Sequence, residues 1–114
     1  MPTDGKWFSI EVEAVVSLLP SSESGRDKGI TSGYRPNHNF GGPENIEMRM
    51  GQITVENDEW IEPGESKPVK IQFVMPEGYV IDLVPDLIWR IQEGGRLVGN
   101  GKITKLISSD VPVN

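Results

Sequence analysis

Asp86 to Leu106 reads DLIWRIQEGGRLVGNGKITKL, and two strand-like runs meet in it at Glu93-Gly94-Gly95-Arg96. Gly-Gly is one of the few dipeptides able to take positive φ at both central positions of a type I′ hairpin turn. With Gly94 and Gly95 as the loop, Glu93 faces Arg96, Gln92 faces Leu97, Ile91 faces Val98 and Trp89 faces Asn100. That register sets opposite charges beside the turn and apolar partners just above it. The segment is a β-hairpin, and the rest of the chain is expected to supply the strands that pair with it.

Working outward, Trp7 to Leu19 (WFSIEVEAVVSLL) alternates Phe8, Ile10, Val12 and Ala14 with Ser9, Glu11 and Glu13, the period of a half-buried strand. Pro20 ends it. Ser21 to Gly29 (SSESGRDKG) is polar and glycine-punctuated, and reads as a surface loop without an apolar anchor. In Ile30 to Phe40 (ITSGYRPNHNF), Gly33 and Pro36 forbid a continuous central strand until after the proline. Asn45 to Glu56 alternates Ile46, Met48 and Met50 with Glu47 and Arg49, then changes phase at Gly51, where a bulge is expected. Asn57 to Pro68 is an acidic loop with a Pro63-Gly64 turn. Val69 to Met75 (VKIQFVM) alternates again, and Tyr79 to Pro85 is a short apolar connector. About six short strands and no amphipathic helix predict an all-β domain, either a closed or nearly closed antiparallel barrel or a sandwich.

The 114 residues suffice for one domain, 1–114, with a single modest core. Nine prolines and thirteen glycines favour strands and turns over helices. No cysteine is present, so disulfides and thiolate metal sites are excluded. MPTDGKW lacks the basic and apolar segments of a signal peptide, and no run approaches the length of a membrane helix, so a cytoplasmic protein without a membrane partner is expected. The formal net charge of −6, without a Lys/Arg cluster, disfavours isolated high-affinity binding of nucleic acid.

Chemistry-bearing motifs are few. Gly99-Asn100-Gly101-Lys102-Ile103-Thr104 has a glycine-rich look, but Arg96 stands where a phosphate loop needs its first glycine and Ile103 where it needs Ser or Thr. Nucleotide binding is therefore not expected, and the glycines read as sites of close backbone approach. His38 is the single histidine, with no cysteine to share a metal and no oriented acid or nucleophile beside it. The acidic residues Glu56 to Glu62 lack calcium-loop spacing. No catalytic residue, metal site or cofactor is expected. Trp60, in the acidic loop, is a candidate protein contact because exposed aromatic anchors dominate interface energetics.

Two segments, GYRPNHNF at Gly33 to Phe40 and IQEGGRLVGNGKITKL at Ile91 to Leu106, with the run between them, resemble the C-terminal (third) domain of bacterial elongation factor Tu. The resemblance covers about Phe8 to Ile107 and implies a six-stranded antiparallel β-barrel. In that family GTP hydrolysis belongs to another domain, and the third domain contacts the T arm of aminoacyl-tRNA as well as protein partners. The resemblance makes Glu93 and Gly94, with Asn37 and the nearby Arg35, candidates for tRNA contact, and Tyr34, Arg96 and Trp60 candidates for contact with a translation-associated protein. Asn37 stands where the family has glutamine, and Ser24-Gly25-Arg26 retains part of a family GGR segment. A non-enzymatic binding module connected with translation is the resulting expectation, with tRNA binding or an accessory or antagonist role as alternatives.

Overall fold

Alternating sequence and frequent chain breaks produce six strands that close on themselves. The computed structural model describes residues 6–76 and 82–113, the last five of these by backbone only. The strands are β1 (Trp7–Leu18), β2 (Asn37–Asn39), β3 (Arg49–Val55), β4 (Ser66–Pro76), β5 (Ile88–Glu93) and β6 (Arg96–Val113). They form an antiparallel barrel in the order β1-β4-β3-β2-β5-β6, with β6 returning to β1. Closure removes the free edges that would otherwise invite strand addition. The helical residues of α1 (Ser21–Ser24) make one turn, and Glu56–Asp58 make one 3-10 turn; among the described residues no helix is long and apolar enough to cross a membrane.

The alternation of β1 places Val12, Ala14, Val16 and Leu18 inside, where they meet Ile53, Val55, Ile71, Phe73, Ile91 and Ile103. Pro68 sits within β4 opposite Val15 of β1. Its missing N–H does no harm there, because pairing of β4 with β3 begins only at Val69. The connector expected over Tyr79–Pro85 lies outside the described residues for 79–81; its Leu83 is buried in the core.

Three local expectations are corrected. Only Gly94 of the Gly-Gly pair has positive φ, 61°, the pattern of a type II′ rather than a type I′ turn. The hairpin pairs Glu93 with Arg96 and Gln92 with Leu97 as expected, but an irregularity after Gln92 shifts the rest, so Ile91 faces Gly99 and Trp89 faces Gly101. The reason is steric: a Cβ on Gly101 would lie 2.3 Å from the Trp89 ring, so the indole can fold inward only over a residue without a side chain. The bulge expected at Gly51 is absent, since β3 pairs with β4 in unbroken register from Met50 to Val55. Gly51 itself points inward beneath Phe73 and His38, where a Cβ would come within 2.7 Å of Phe73. The apparent phase change arises because Ile46 and Met50 face solvent, at 92% and 65% exposure, and Ile46 precedes the strand altogether.

The antiparallel order has one consequence for the site. The β1–β2, β3–β4 and β5–β6 connections all leave the same end of the barrel, which gathers residues 19–36, 56–65 and 94–95.

Candidate functional site

At that end Glu93, the last residue of β5, collects three donors, two from the β1–β2 connection and one from the start of β6. Tyr34 Oη donates to its Oε2 at 2.6 Å, Arg26 Nη1 donates to the same oxygen, and Arg96 Nη2 donates to Oε1 at 2.9 Å. The Arg26 guanidinium also lies over the Tyr34 ring, 5.1 Å from its centroid, a cation–π arrangement that joins the two donors to each other. Partial burial works to raise the Glu93 carboxyl, but the Tyr34 and Arg96 hydrogen bonds and the two guanidinium charges outweigh it and hold the group below the usual carboxylate range. Tyr34 is pushed well up, first by burial and then by its bond to the Glu93 carboxylate, so it remains a donor through neutral and mildly alkaline pH. One carboxylate between two guanidiniums leaves this cluster with one excess positive charge on an acidic protein.

Local sequence explains how the parts arrive. Gly33 at φ 98° turns the chain so that its N–H reaches Ile53 O at 2.9 Å, while Ile53 N–H reaches Tyr34 O at 2.9 Å. Pro36 then delivers β2 at Asn37, as the GYRP spacing predicts. Upstream, the connection is far from featureless. Ser24 is buried and its Oγ accepts from Arg26 N–H at 3.0 Å. Gly25 adopts the left-handed conformation that ends α1, and Ile30 pairs with Ile61 through two backbone bonds, both residues sealing the barrel end. The stretch Ser21–Gly29, read as a surface loop without an apolar anchor, is held by polar groups instead: it carries Arg26, a cluster member that periodicity and composition pass over. The one sequence signal for it is Ser24-Gly25-Arg26, through its resemblance to a GGR segment.

The remaining candidates are distributed around this cluster. Gly94 is exposed at the turn tip, its carbonyl accepting from Gln92 Nε2 at 3.1 Å. Asn37 lies in β2 between Met50 and Gln92. Arg35 points to solvent and donates from Nε and Nη2 to Gln52 Oε1 at 3.0 and 2.7 Å. Trp60 is 54% exposed on the β3–β4 connection at the same barrel end, its carbonyl held by Lys67 Nζ at 2.6 Å. Tyr34, Glu93 and Arg96 are therefore brought into one bonded group, while Arg35 and Trp60 share its end of the barrel without joining it.

His38 lies elsewhere, fully buried in the barrel. Its Nε2–H donates to Gly51 O at 3.0 Å and its Nδ1 accepts from Trp89 Nε1–H at 3.0 Å. Burial lowers its pKa to about 4, so the ring is neutral at pH 7 with both nitrogens engaged. Phe73 lies edge-on at 4.9 Å between centroids and Trp89 at 6.2 Å, and Phe40 packs on both of those rings. Away from both groups, a cleft of about 510 Å³ is lined by residues of β1, β3 and β4, by Glu56–Asp58 and by Thr104 of β6; it contains none of the candidate residues. No known protein-family model matches the chain.

Proposed function

We propose that this barrel is a non-enzymatic binding module related to the third domain of elongation factor Tu, and that it contacts a translation-associated protein in the cytoplasm through the barrel end bearing the Glu93 turn. The observation that supports this reading is the convergence of both resemblance segments there, in the Tyr34–Glu93–Arg96 cluster with Arg26. Exposed Trp60 and Arg96 frame that end as an aromatic anchor and a cation with solvent-facing donors, the residue types enriched in interface centres. The engaged nitrogens of His38 support a structural rather than catalytic role for the single histidine.

Immobilised protein presented at low salt with purified elongation factor Tu, and separately with its nucleotide-exchange factor, tests the reading. Saturable binding weakened by Trp60→Ala and Arg96→Ala is expected. Binding to neither, together with a lysate pull-down free of translation components, defeats it. Labelled aminoacyl-tRNA titrated at several salt concentrations covers the alternative: affinity falling steeply with salt, and lost in Arg35→Ala, would replace the protein reading with phosphate recognition.

A further inference from the structure

Both oxygens of Glu93 are already occupied by side chains of its own chain. Oε2 takes Tyr34 and Arg26, and Oε1 takes Arg96. Arg26 meanwhile curls back on its own loop, donating from Nε to Lys28 O at 2.9 Å and from Nη2 to Gly29 O at 3.3 Å. One guanidinium therefore ties Gly25–Gly29 into a ring and fastens that ring to the β5–β6 turn. From Ile30 onward the connection is held independently, by backbone bonds to Ile61 and Ile53. Between the αL cap at Gly25 and Ile30, Arg26 ties the stretch to the rest of the barrel end through the Glu93 carboxylate and the Tyr34 ring.

We propose that Glu93 is an internal lock rather than a contact residue: it clasps the Gly25–Gly29 loop through Arg26 and sets the Tyr34 side chain, giving the barrel end one shape that opens when the carboxylate is neutralised. Charge-assisted bonds to a part-buried carboxylate are stronger than neutral ones, and this one joins segments 67 residues apart in sequence. The charged groups that act on Glu93 are Arg26 from the β1–β2 connection and Arg96 from β6, with Tyr34 the remaining titratable neighbour. Because the Glu93 pKa is depressed on folding, the lock is fully closed above the ordinary carboxylate range and opens only as pH falls below it. It is closed at neutral pH whichever partner the barrel end serves.

Limited trypsin digestion of the whole protein reads the lock directly, because Lys28 is exposed within the clasped loop and Arg35 is protected from cleavage by Pro36. Glu93→Gln is expected to raise the rate of cleavage after Lys28 by roughly tenfold, the equivalent of losing one charge-assisted bond. Arg26→Gln should do the same, while Arg96→Ala, which removes only the outer partner, should leave the rate within about twofold. An unchanged far-UV circular dichroism spectrum and a urea midpoint close to that of the wild type would show that the barrel itself persists in each variant. Cleavage after Lys28 at the wild-type rate in both Glu93→Gln and Arg26→Gln would overturn the proposal. So would equal acceleration by Arg96→Ala, which would make the cluster a diffuse surface network.

Discussion

Two of the polar networks in this small barrel are built on opposite terms. In the interior, Trp89, His38 and Gly51 form a neutral chain of two 3.0 Å bonds enclosed by aromatic rings. At the barrel end, Tyr34, Arg26 and Arg96 converge on the charged Glu93 in partial contact with water. Each satisfies its polar atoms, but the interior network has no solvent to fall back on, so losing a partner leaves a buried group unpaired. The rim network exchanges a lost bond for water at modest cost. The interior pair accordingly governs whether the barrel holds, and the rim cluster governs the shape of one end.

The sharpest way to break that contrast is at Gly101. Valine there would overlap the Trp89 ring and displace it from His38, and chemical denaturation should show a loss of about 4 kcal/mol, at or above the upper end of overpacking costs. Replacing His38 by phenylalanine should cost about 3 kcal/mol, since Trp89 Nε1–H and Gly51 O are both left without partners. If His38→Phe were as stable as the wild type, the interior bonds would be incidental to packing.

The same histidine makes a pH prediction. Its folded pKa of about 4 lies below the unfolded value near 6.5, so the unfolded chain takes up a proton that the folded barrel refuses. Its contribution is complete above pH 6.5 and declines as pH falls toward 4. Between pH 6.5 and 5 the wild type should lose about 2 kcal/mol, measured as a falling urea midpoint, and His38→Phe should lack that slope.

Glu93→Gln should lower global stability by only about 1 kcal/mol while leaving the His38-linked slope intact; a loss as large as that of Gly101→Val would place Glu93 with the core. Smallest in stability is Trp60→Ala, expected within about 0.5 kcal/mol by thermal melt. The same change should nonetheless weaken binding of a protein partner by about tenfold or more.

Much of the wall was legible from period two. In β1 Val12 and Ala14 are buried as the alternation predicts, because a strand half-buried on one face must alternate, whereas Ser9, on the polar side of that alternation, is buried too where the pairing with β6 shifts. Pro36 announces the start of β2. Around Gly51 the pattern misleads, since a glycine registers as a break although here it is an inward residue making room for His38 and Phe73. Met50 is the counterpart, an apolar side chain left in water on the outer wall. The site was legible in part: Tyr34, Glu93 and Arg96 carry recognisable motifs, whereas Arg26 sits in a polar stretch where no periodicity distinguishes a bonded arginine from a solvated one.

By itself the sequence determined what local chemistry can determine: strands from alternation, breaks from proline and glycine, and a hairpin closed by Glu93 and Arg96 across the turn. The tertiary structure decided the partners. Arg26 meets Glu93 across 67 residues, Tyr34 meets it across 59, and Trp89 meets His38 across 51. Bonds of that separation exist only once barrel closure brings connections to a common end and glycines let an indole fold over the backbone. The register beyond Gln92 changed for the same reason, because the space for Trp89 at Gly101 is a property of the packed interior rather than of the turn.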